Sequence, residues 1–365
     1  MTAHRTSPEP AGPVRTVSRR DVAAAVGLLS LIALVALSVL WTSGSTAARG
    51  IRVAVVGTSR QASQVAASQL RTSAGGVLDP FPVADVAHAR LAIQDRSADA
   101  AFLNGPKTTD ELIVASAAGP NQSSFLISRF KAYEKSQHRT LKLADGVPLT
   151  SADRRGTVAQ HLTLVMLLAG ALGAAALSAL IGRSRGTSRI ARPSRAVAAC
   201  GAYSVACALV VVLTSRFAFG VLQGHEVQAV AAAALLCAAA AGTVAAVQAL
   251  AGRLLAGVLV LLLIVAGGLA SGVALPYAFQ PGPLRTAGPY LLGGAGVDLL
   301  RNIAYFHGHA IGRPLLALAT WLAIGCLTTL VLSARRRPAA PDTATPDTAT
   351  QASRRGRRRE LVDAA

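Results

Sequence analysis

Charged and aromatic residues are scarce in this sequence. Only 15% of its 365 residues are charged and 4% are aromatic, whereas 52% are hydrophobic. A soluble protein has about a quarter of its residues charged, so this composition excludes an ordinary water-soluble surface. The formal net charge of +19 favours a nucleic-acid partner at first sight. However, few aromatic rings are present to stack on bases, and the arginines lie beside long apolar runs. We therefore expect no nucleic-acid partner and an integral membrane protein.

Motifs for nucleotide hydrolysis, metal binding and covalent catalysis are also missing. The sequence contains no GxxxxGK[ST] phosphate-binding loop, no CxxC pair and no catalytic triad pattern. The four cysteines, Cys200, Cys207, Cys237 and Cys326, all fall in apolar segments, where a free cysteine behaves as a small hydrophobic residue. We therefore expect no enzymatic activity, no cofactor and no metal site in this chain.

Long apolar runs are what the sequence has in abundance. Six of them are long enough to cross a hydrocarbon core, which takes about 20 helical residues. They are Val22–Trp41, Val158–Gly182, Ala196–Thr214, Val227–Leu250, Leu254–Ala274 and Pro314–Ser333. The sequence thus predicts an α-helical polytopic membrane protein with six transmembrane helices. Because only Ala251–Arg253 separates the fourth run from the fifth, we expect a tight helical hairpin there.

The first apolar run is either an anchor or a cleaved signal peptide. Ser18-Arg19-Arg20 resembles a twin-arginine signal, and Ser45-Thr46-Ala47 offers small residues for cleavage. The run is longer than the apolar core of a signal peptide, which has about 7–15 residues. Its length favours a transmembrane anchor.

Arginines in the short loops indicate the orientation. The basic residues of the N-tail (1–21), the 183–195 loop, Arg253 and the C-tail (334–365) all fall on one side if six helices span the membrane. Positive charge accumulates on the cytoplasmic side, so we expect a plasma-membrane protein with both termini in the cytoplasm. The C-tail is predicted to be disordered, and its Arg354–Arg359 run either contacts anionic lipid or simply fixes the topology.

Residues 42–157, between the first two runs, are predicted to form a small extracytoplasmic α/β domain. Apolar residues alternate at Ile51, Val53 and Val55, as in a strand, and then recur at helical spacing from Ala62 to Leu70. Further strands are expected near 77–83, 98–103, 112–116 and 140–143, with helices capped by Asp85 and Asn121. Alternating strands and helices favour a layered α/β architecture.

Three motifs have both a functional and a plain interpretation. Gly57-Thr58-Ser59 lies at a strand-to-helix turn and is either an anion site or an ordinary turn. His307 and His309 are either metal ligands or simple interfacial histidines. Small residues at helical spacing occur at Ala169/Gly173, Gly170/Ala174 and Gly268/Gly272. They favour a compact bundle or a homodimer seam, or they simply reflect an alanine-rich composition.

The segment 275–313 belongs to a predicted five-helix membrane domain, residues 158–333, and should lie on its outer side. Its prolines exclude a spanning helix, yet Leu291–Phe306 is too apolar for a free loop, so we expect a short re-entrant or interfacial helix. Asp298 and Arg301 are spaced to pair on that helix. Charges at membrane depth are costly unless they are paired or hydrated. We therefore predict a substrate path along this segment, with the candidate residues Pro289, Asp298, Arg301, Tyr305 and His307.

Several positions resemble a known family. They are Asp153-Arg154-Arg155-Gly156, Leu275-Pro276, Gly288-Pro289, Asp298-Leu299-Leu300-Arg301-Asn302, Tyr305-Phe306 and Trp321. Together with the order of one span, an exported domain and five more spans, they resemble type-2 ATP-binding-cassette (ABC) transporter permeases of the phage-infection-protein-like branch. The resemblance implies export of an amphipathic or hydrophobic substrate. It also implies that a separate ATP-binding subunit hydrolyses the ATP.

Two other classes of function stay open at this point. The chain could be a non-transporting surface or assembly protein whose exported domain binds a ligand or partner. An intramembrane enzyme is disfavoured, because such enzymes need ionisable residues inside their spans. Here only His161, near the outer end of the second run, is available.

Overall fold

The computed structural model describes residues 48–105, 108–183, 191–220, 224–273 and 275–335. The predicted N-tail, the first apolar run Val22–Trp41 and the C-tail beyond residue 335 lie outside these ranges. Signal cleavage, lipid contact of the C-tail and the position of the termini therefore stay predictions.

Five strands form one sheet in the N-terminal part of the described chain. They are β1 (Ile51–Val56), β2 (Leu78–Pro82), β3 (Ala100–Leu103), β4 (Thr109–Val114) and β5 (Thr140–Asp145). Their spatial order is β2-β1-β3-β4-β5, in which β3 and β4 are antiparallel and the other neighbours are parallel. Three helices alternate with them, namely α1 (Arg60–Ala74), α2 (Val86–Gln94) and α3 (Pro120–Ser136). The predicted α/β architecture is confirmed, while its side of the membrane stays a prediction.

Side-chain caps explain where two of these helices begin. The Ser59 hydroxyl accepts a hydrogen bond from the Ala62 amide at 3.1 Å, and the Asp85 carboxylate accepts one from the His88 amide at 2.9 Å. The expectation that Asn121 caps the third helix is wrong, because α3 begins at Pro120 after Gly119. Proline at the first helical position presets φ and needs no partner for an amide proton, so it starts the helix earlier.

The two faces of the sheet have different neighbours. Ile51 and Val55 lie on the face that packs against α1 and α3. Ala54 points to the opposite face, where α2 packs together with Tyr305 and Phe306 from far along the chain. The second face therefore joins the α/β domain, residues 48–157, to the C-terminal half of the protein.

The C-terminal half is helical. In chain order its helices are α4 (Val158–Arg183), α5 (Ala191–Phe219), α6 (Glu226–Ala270), α7 (Gly282–Ala287), α8 (Leu292–Tyr305) and α9 (Gly312–Arg335). Four stretches of the described chain are long and apolar enough to cross a membrane, namely Val158–Leu177, Val197–Phe217, Glu226–Gly252 and Gly312–Leu332. They correspond to the second, third, fourth and sixth predicted runs and are compatible with a membrane protein. The fifth run, Leu254–Ala274, is helical to residue 270 but is not among the four, so the six-span prediction is supported only in part.

Helix α6 turns back on itself at Gly252. That residue has φ 88° and ψ 177°, a backbone conformation that interrupts a helix and that glycine adopts without a steric penalty. His225, just before α6, lies beside His307, and Gly272, just after it, lies against the Tyr277 ring. Both ends of α6 are therefore at the α/β-domain end of the bundle, as the predicted hairpin requires.

Helix α8 lies inside the protein. All of its residues except Ala304 are buried. A Cβ at Gly296 would come within 2.8 Å of Thr163 on α4 and 2.9 Å of Leu236 on α6, so these three helices are in close contact. The predicted helix is confirmed, but its apolar character comes from burial between the α/β domain and the bundle rather than from an exposed interfacial position.

Small residues bring helix backbones together within the chain. A Cβ at Gly170 would collide with the Cys237 carbonyl on α6, and one at Gly173 would collide with the Tyr203 ring on α5. The faces that carry Gly170 and Gly173 are thus covered by other helices of the same molecule, which favours the compact-bundle interpretation. A homodimer stays a prediction and would need other surfaces.

Candidate functional site

Three of the five predicted path residues meet where the α/β domain contacts α8. Pro289 and Arg301 line a cavity of about 510 Å³ there, and Asp298 is fully buried behind it. Tyr305 and His307 belong to neighbouring contacts of the same segment and do not line the cavity. The predicted site is therefore a junction between two parts of the chain, and each contact across it can be named.

Asp298 is the central carboxylate of this junction. Arg96 Nη1, from the α/β domain, donates to its Oδ1 at 3.0 Å, and Arg313 Nη2, at the start of α9, donates to its Oδ2 at 3.1 Å. The Tyr277 hydroxyl also donates to Oδ2, at 3.4 Å. The predicted Asp298–Arg301 pair is wrong, since Arg301 is in none of the salt bridges of the described residues. The i, i+3 spacing does place Asp298 and Arg301 on one helix, but the arginines that bind Asp298 come from other segments of the chain.

Arg96 reaches Asp298 from a strained position. It follows the end of α2 and has φ 54°, in the left-handed region that favours glycine after a helix. Its guanidinium also donates to Asn302 Oδ1 at 2.9 Å and lies over the Phe306 ring, 5.5 Å from the centroid. Burial opposes its charge, but the Asp298 carboxylate keeps the pKa of Arg96 above its ordinary value. These contacts explain why an arginine occupies a position suited to glycine.

Arg301 and Asn302 continue the junction in two directions. Arg301 Nη1 donates to the Ala118 carbonyl of the α/β domain at 2.9 Å. Asn302 Nδ2 donates to the Ala310 carbonyl at 2.9 Å, in the turn that leads to α9. Arg301 therefore bonds α8 to the α/β domain, and Asn302 bonds α8 to the turn that precedes α9.

Tyr305 connects α8 to the first helix of the bundle. Its hydroxyl donates to Asp153 Oδ2 at 2.6 Å, and the other oxygen of that carboxylate accepts from the Thr157 amide at 2.9 Å, where α4 begins. Burial and the neighbouring Asp153 raise the pKa of Tyr305, so the hydroxyl stays a donor at neutral pH. Asp153 thus caps α4 and anchors α8 with the same side chain.

The histidines after α8 form pairs instead of a metal centre. His307 Nδ1 lies 3.4 Å from His225 Nε2, and His309 Nδ1 lies 2.8 Å from Asp95 Oδ1. Within the described ranges, no three His, Cys, Asp or Glu side chains are grouped to hold a metal ion. The geometry favours the plain interpretation of His307 and His309.

The Gly57–Ser59 turn is also an ordinary turn. The Gly57 amide donates to the Ser63 hydroxyl at 2.8 Å, and Ser59 caps α1. An added Cβ at Gly57 would lie 2.6 Å from the Ser63 amide nitrogen, so the turn is packed closely against the helix. The Gly57 amide, which a phosphate-binding loop would need, is thus already used within the chain.

A second charged cluster lies within the α/β domain and was not expected from the sequence. Arg139 Nη2 donates to Asp110 Oδ1 at 2.6 Å, and Glu134 lies beside this pair with only 2% of its side chain exposed. Burial and the adjacent Asp110 raise the pKa of Glu134 to about 7, whereas the arginine holds the pKa of Asp110 below its ordinary value despite burial. Glu134 falls on the buried face of an amphipathic helix, which is the signal that could have identified it.

Sequence reasoning also missed most partners of Asp298. Arg313 and Tyr277 lie in the predicted 275–313 segment, but Arg96 lies about 200 residues away in the sequence.

No known family model, curated protein or solved structure matches this chain. The contacts of α8 with the α/β domain and the bundle are therefore the basis for a proposed function.

Proposed function

We propose that this chain is the membrane-spanning subunit of an ABC-type exporter. In this proposal the α/β domain lies outside the plasma membrane, both termini are cytoplasmic, and a separate subunit hydrolyses ATP. The cavity beside α8 forms the outer end of the substrate path. The observation that carries the proposal is the attachment of α8 to both the α/β domain and the ends of two bundle helices.

That attachment offers a route for mechanical coupling. Asp153 joins the start of α4 to Tyr305, and Asp298 joins the start of α9 to Arg96 of the α/β domain. Transporters change access to a binding site by moving helices around it. A movement of α4 or α9 would pull directly on α8 and on the cavity wall.

The distribution of arginine supports the proposed orientation. The α/β domain and the 275–311 segment share one end of the bundle, while α4 and α9 end in Arg183 and Arg335 at the opposite end. Positive charge at that opposite end is typical of the cytoplasmic side. An ATP-binding subunit would then dock at the 183–195 loop.

The proposal is tested by copurification from native membranes. We expect an ATP-binding subunit to copurify with the tagged chain. Its recovery should be lost in Arg185→Gln/Arg189→Gln, in the predicted cytoplasmic loop, and kept in Arg154→Gln/Arg155→Gln, at the other end of the bundle. Equal recovery from both double variants would contradict the proposed docking site. Absence of any ATP-binding subunit beside an intact, inserted chain would overturn the exporter proposal.

The cavity itself favours a second candidate function. A non-transporting surface protein could bind a ligand or partner at the same junction, and such binding needs neither ATP nor helix movement. This alternative becomes the preferred function if the chain is stable and ligand-competent in membranes that yield no ATP-binding subunit.

A further inference from the structure

The cavity between the α/β domain and α8 has a surplus of positive charge. Six arginines line it, namely Arg49, Arg52, Arg96, Arg285, Arg301 and Arg313. The carboxylates on its lining are Asp95 and Asp99, and Asp298 lies directly behind. Arginine stays protonated in proteins, so this surplus cannot be removed by loss of protons.

The available carboxylates are already used. Asp298 is shared by Arg96 and Arg313, Asp95 pairs with His309, and Asp99 accepts from the Arg52 backbone amide at 2.9 Å. The side chains of Arg49, Arg52 and Arg285 form no salt bridge with any described residue. Charge is therefore unbalanced on the cavity side of the junction.

Arg301 shows the imbalance most clearly. Only 2% of the residue is exposed, and Nη1 donates to the Ala118 carbonyl. Its Nη2 is buried and has no hydrogen-bond partner among the described residues. Burial and the nearby Arg96 both lower the pKa of Arg301. A buried guanidinium with an unused donor is costly unless an acceptor completes it.

We propose that this cavity binds a phosphate-type oxyanion carried on a larger molecule. Guanidinium groups bind phosphate oxygens through paired hydrogen bonds, and the charge of a phosphodiester or phosphate monoester offsets part of the surplus. At about 510 Å³ the cavity is in the size range of small-molecule sites, so it accommodates more than the phosphate group alone. A phospholipid headgroup and a soluble phosphate ester present the same chemistry. The site does not depend on the proposed exporter function, because binding needs no ATPase.

The test uses the full chain, purified in detergent micelles without phosphate and titrated with inorganic phosphate by calorimetry and thermal unfolding. We expect saturable stabilisation by phosphate and a clearly weaker effect of acetate. Arg301→Gln should weaken phosphate binding about tenfold or more, the usual effect of losing a charged hydrogen bond. Arg49→Gln, at an exposed position, keeps the test valid if the buried variant does not fold. Arg60→Gln, which removes an equal charge outside the cavity, should bind phosphate like the wild type.

The source of the anion is distinguished in bilayers. If a lipid headgroup occupies the cavity, phosphate affinity will fall in phosphatidylglycerol nanodiscs relative to phosphatidylcholine nanodiscs. Phospholipid will then also copurify less with Arg301→Gln than with Arg60→Gln. If the natural ligand is soluble, phosphate affinity will be the same in both bilayers at high salt, where the surface potential of phosphatidylglycerol is screened. The proposal is overturned if acetate binds as well as phosphate, or if Arg301→Gln and Arg49→Gln bind like Arg60→Gln. It is also overturned if phosphate has no effect and phospholipid copurifies equally with all variants.

Discussion

Two buried charge clusters in the described part of the chain have opposite imbalances. In the α/β domain, Asp110 and Glu134 face one cation, Arg139. At the junction with α8, Asp298 alone serves Arg96 and Arg313, with Arg301 unpaired beside them. A surplus carboxyl can bind a proton, and the pKa of Glu134, raised to about 7, shows this solution. A surplus guanidinium has no such option, and this is why we propose an external anion at the junction.

Both clusters also adjoin a residue in the left-handed backbone region. At the junction Arg96, with φ 54°, is itself the cation. In the α/β domain the strained residue is His138, with φ 53°, and the following Arg139 supplies the cation. At the junction the strained residue itself forms the ion pair, whereas in the α/β domain the strained residue is the neighbour of the one that does. Substitutions at Arg96 and His138 therefore relieve the backbone strain with and without loss of a buried cation.

The largest effect should follow from Asp298→Asn. The change keeps the shape of the side chain but removes the carboxylate that compensates Arg96 and Arg313. Removing one partner of a buried ion pair costs about 3–5 kcal/mol. We expect a large loss of thermal stability in detergent and easier proteolysis between the α/β domain and the bundle. Asp79→Asn is the matched control, because its pair with Arg71 is more than half exposed and such pairs contribute less than about 1 kcal/mol. Equal shifts in the two variants would contradict a central role for Asp298.

A smaller loss is expected for Arg96→Gly. Glycine relieves the backbone strain but removes the ion pair with Asp298 and the hydrogen bond to Asn302, so the net loss should be about 2–4 kcal/mol. His138→Gly is the control, because it relieves the same kind of strain at an exposed side chain and should raise stability by up to about 1 kcal/mol. Thermal unfolding of the full chain measures both. If the two variants change stability in the same direction, the strain at Arg96 is not compensated by its contacts.

The smallest effect concerns the pH dependence of the acidic cluster. The folded chain keeps a proton on Glu134 up to about pH 7, while the unfolded chain releases it near the ordinary glutamate pKa of 4.5. The stability that this proton contributes is complete below pH 4.5 and is lost as the pH rises to about 7. Asp110, whose pKa is lowered, acts in the opposite direction only at more acidic pH. In Glu134→Gln the amide cannot ionise, so the unfolding temperature of the variant should rise relative to the wild type between pH 5 and pH 8. A constant difference across that range would show that Glu134 does not titrate there.

Local patterns predicted the elements of the α/β domain because local physics determines them. Alternation at Ile51, Val53 and Val55 specifies a strand, and the side chains of Ser59 and Asp85 determine where two helices begin. The short connection between β3 and β4 makes that pair antiparallel. The position of β1 between β2 and β3 and the pairing of β4 with β5 depend on packing between segments, and no local pattern records them. The sequence therefore identifies the strands but not their full order in the sheet.

The sequence identified α8 and its two buried charges but not the groups that bind them, and a substrate path at this place stays a prediction. The apolar stretch predicted a helix here, and Asp298 and Arg301 are both buried on it. Their partners, Arg96 and the Ala118 carbonyl, come from the other end of the described chain, where no spacing rule connects them. Burial also changed the meaning of the pattern, since an apolar helix inside a protein has the same sequence signal as one at a membrane surface.

Backbone contact between α6 and α9 has a mechanical consequence. A Cβ at Gly325 would lie 2.5 Å from the Gly242 carbonyl carbon, so nothing but glycine separates the two helices at this crossing. At this crossing no side chain lies between the two backbones that could repack if one helix moved. Under the proposed exporter function, a movement of α9, whose first turn carries Arg313, would therefore be transmitted directly to α6. Replacing Gly325 with a larger residue would push the two backbones apart and weaken that transmission.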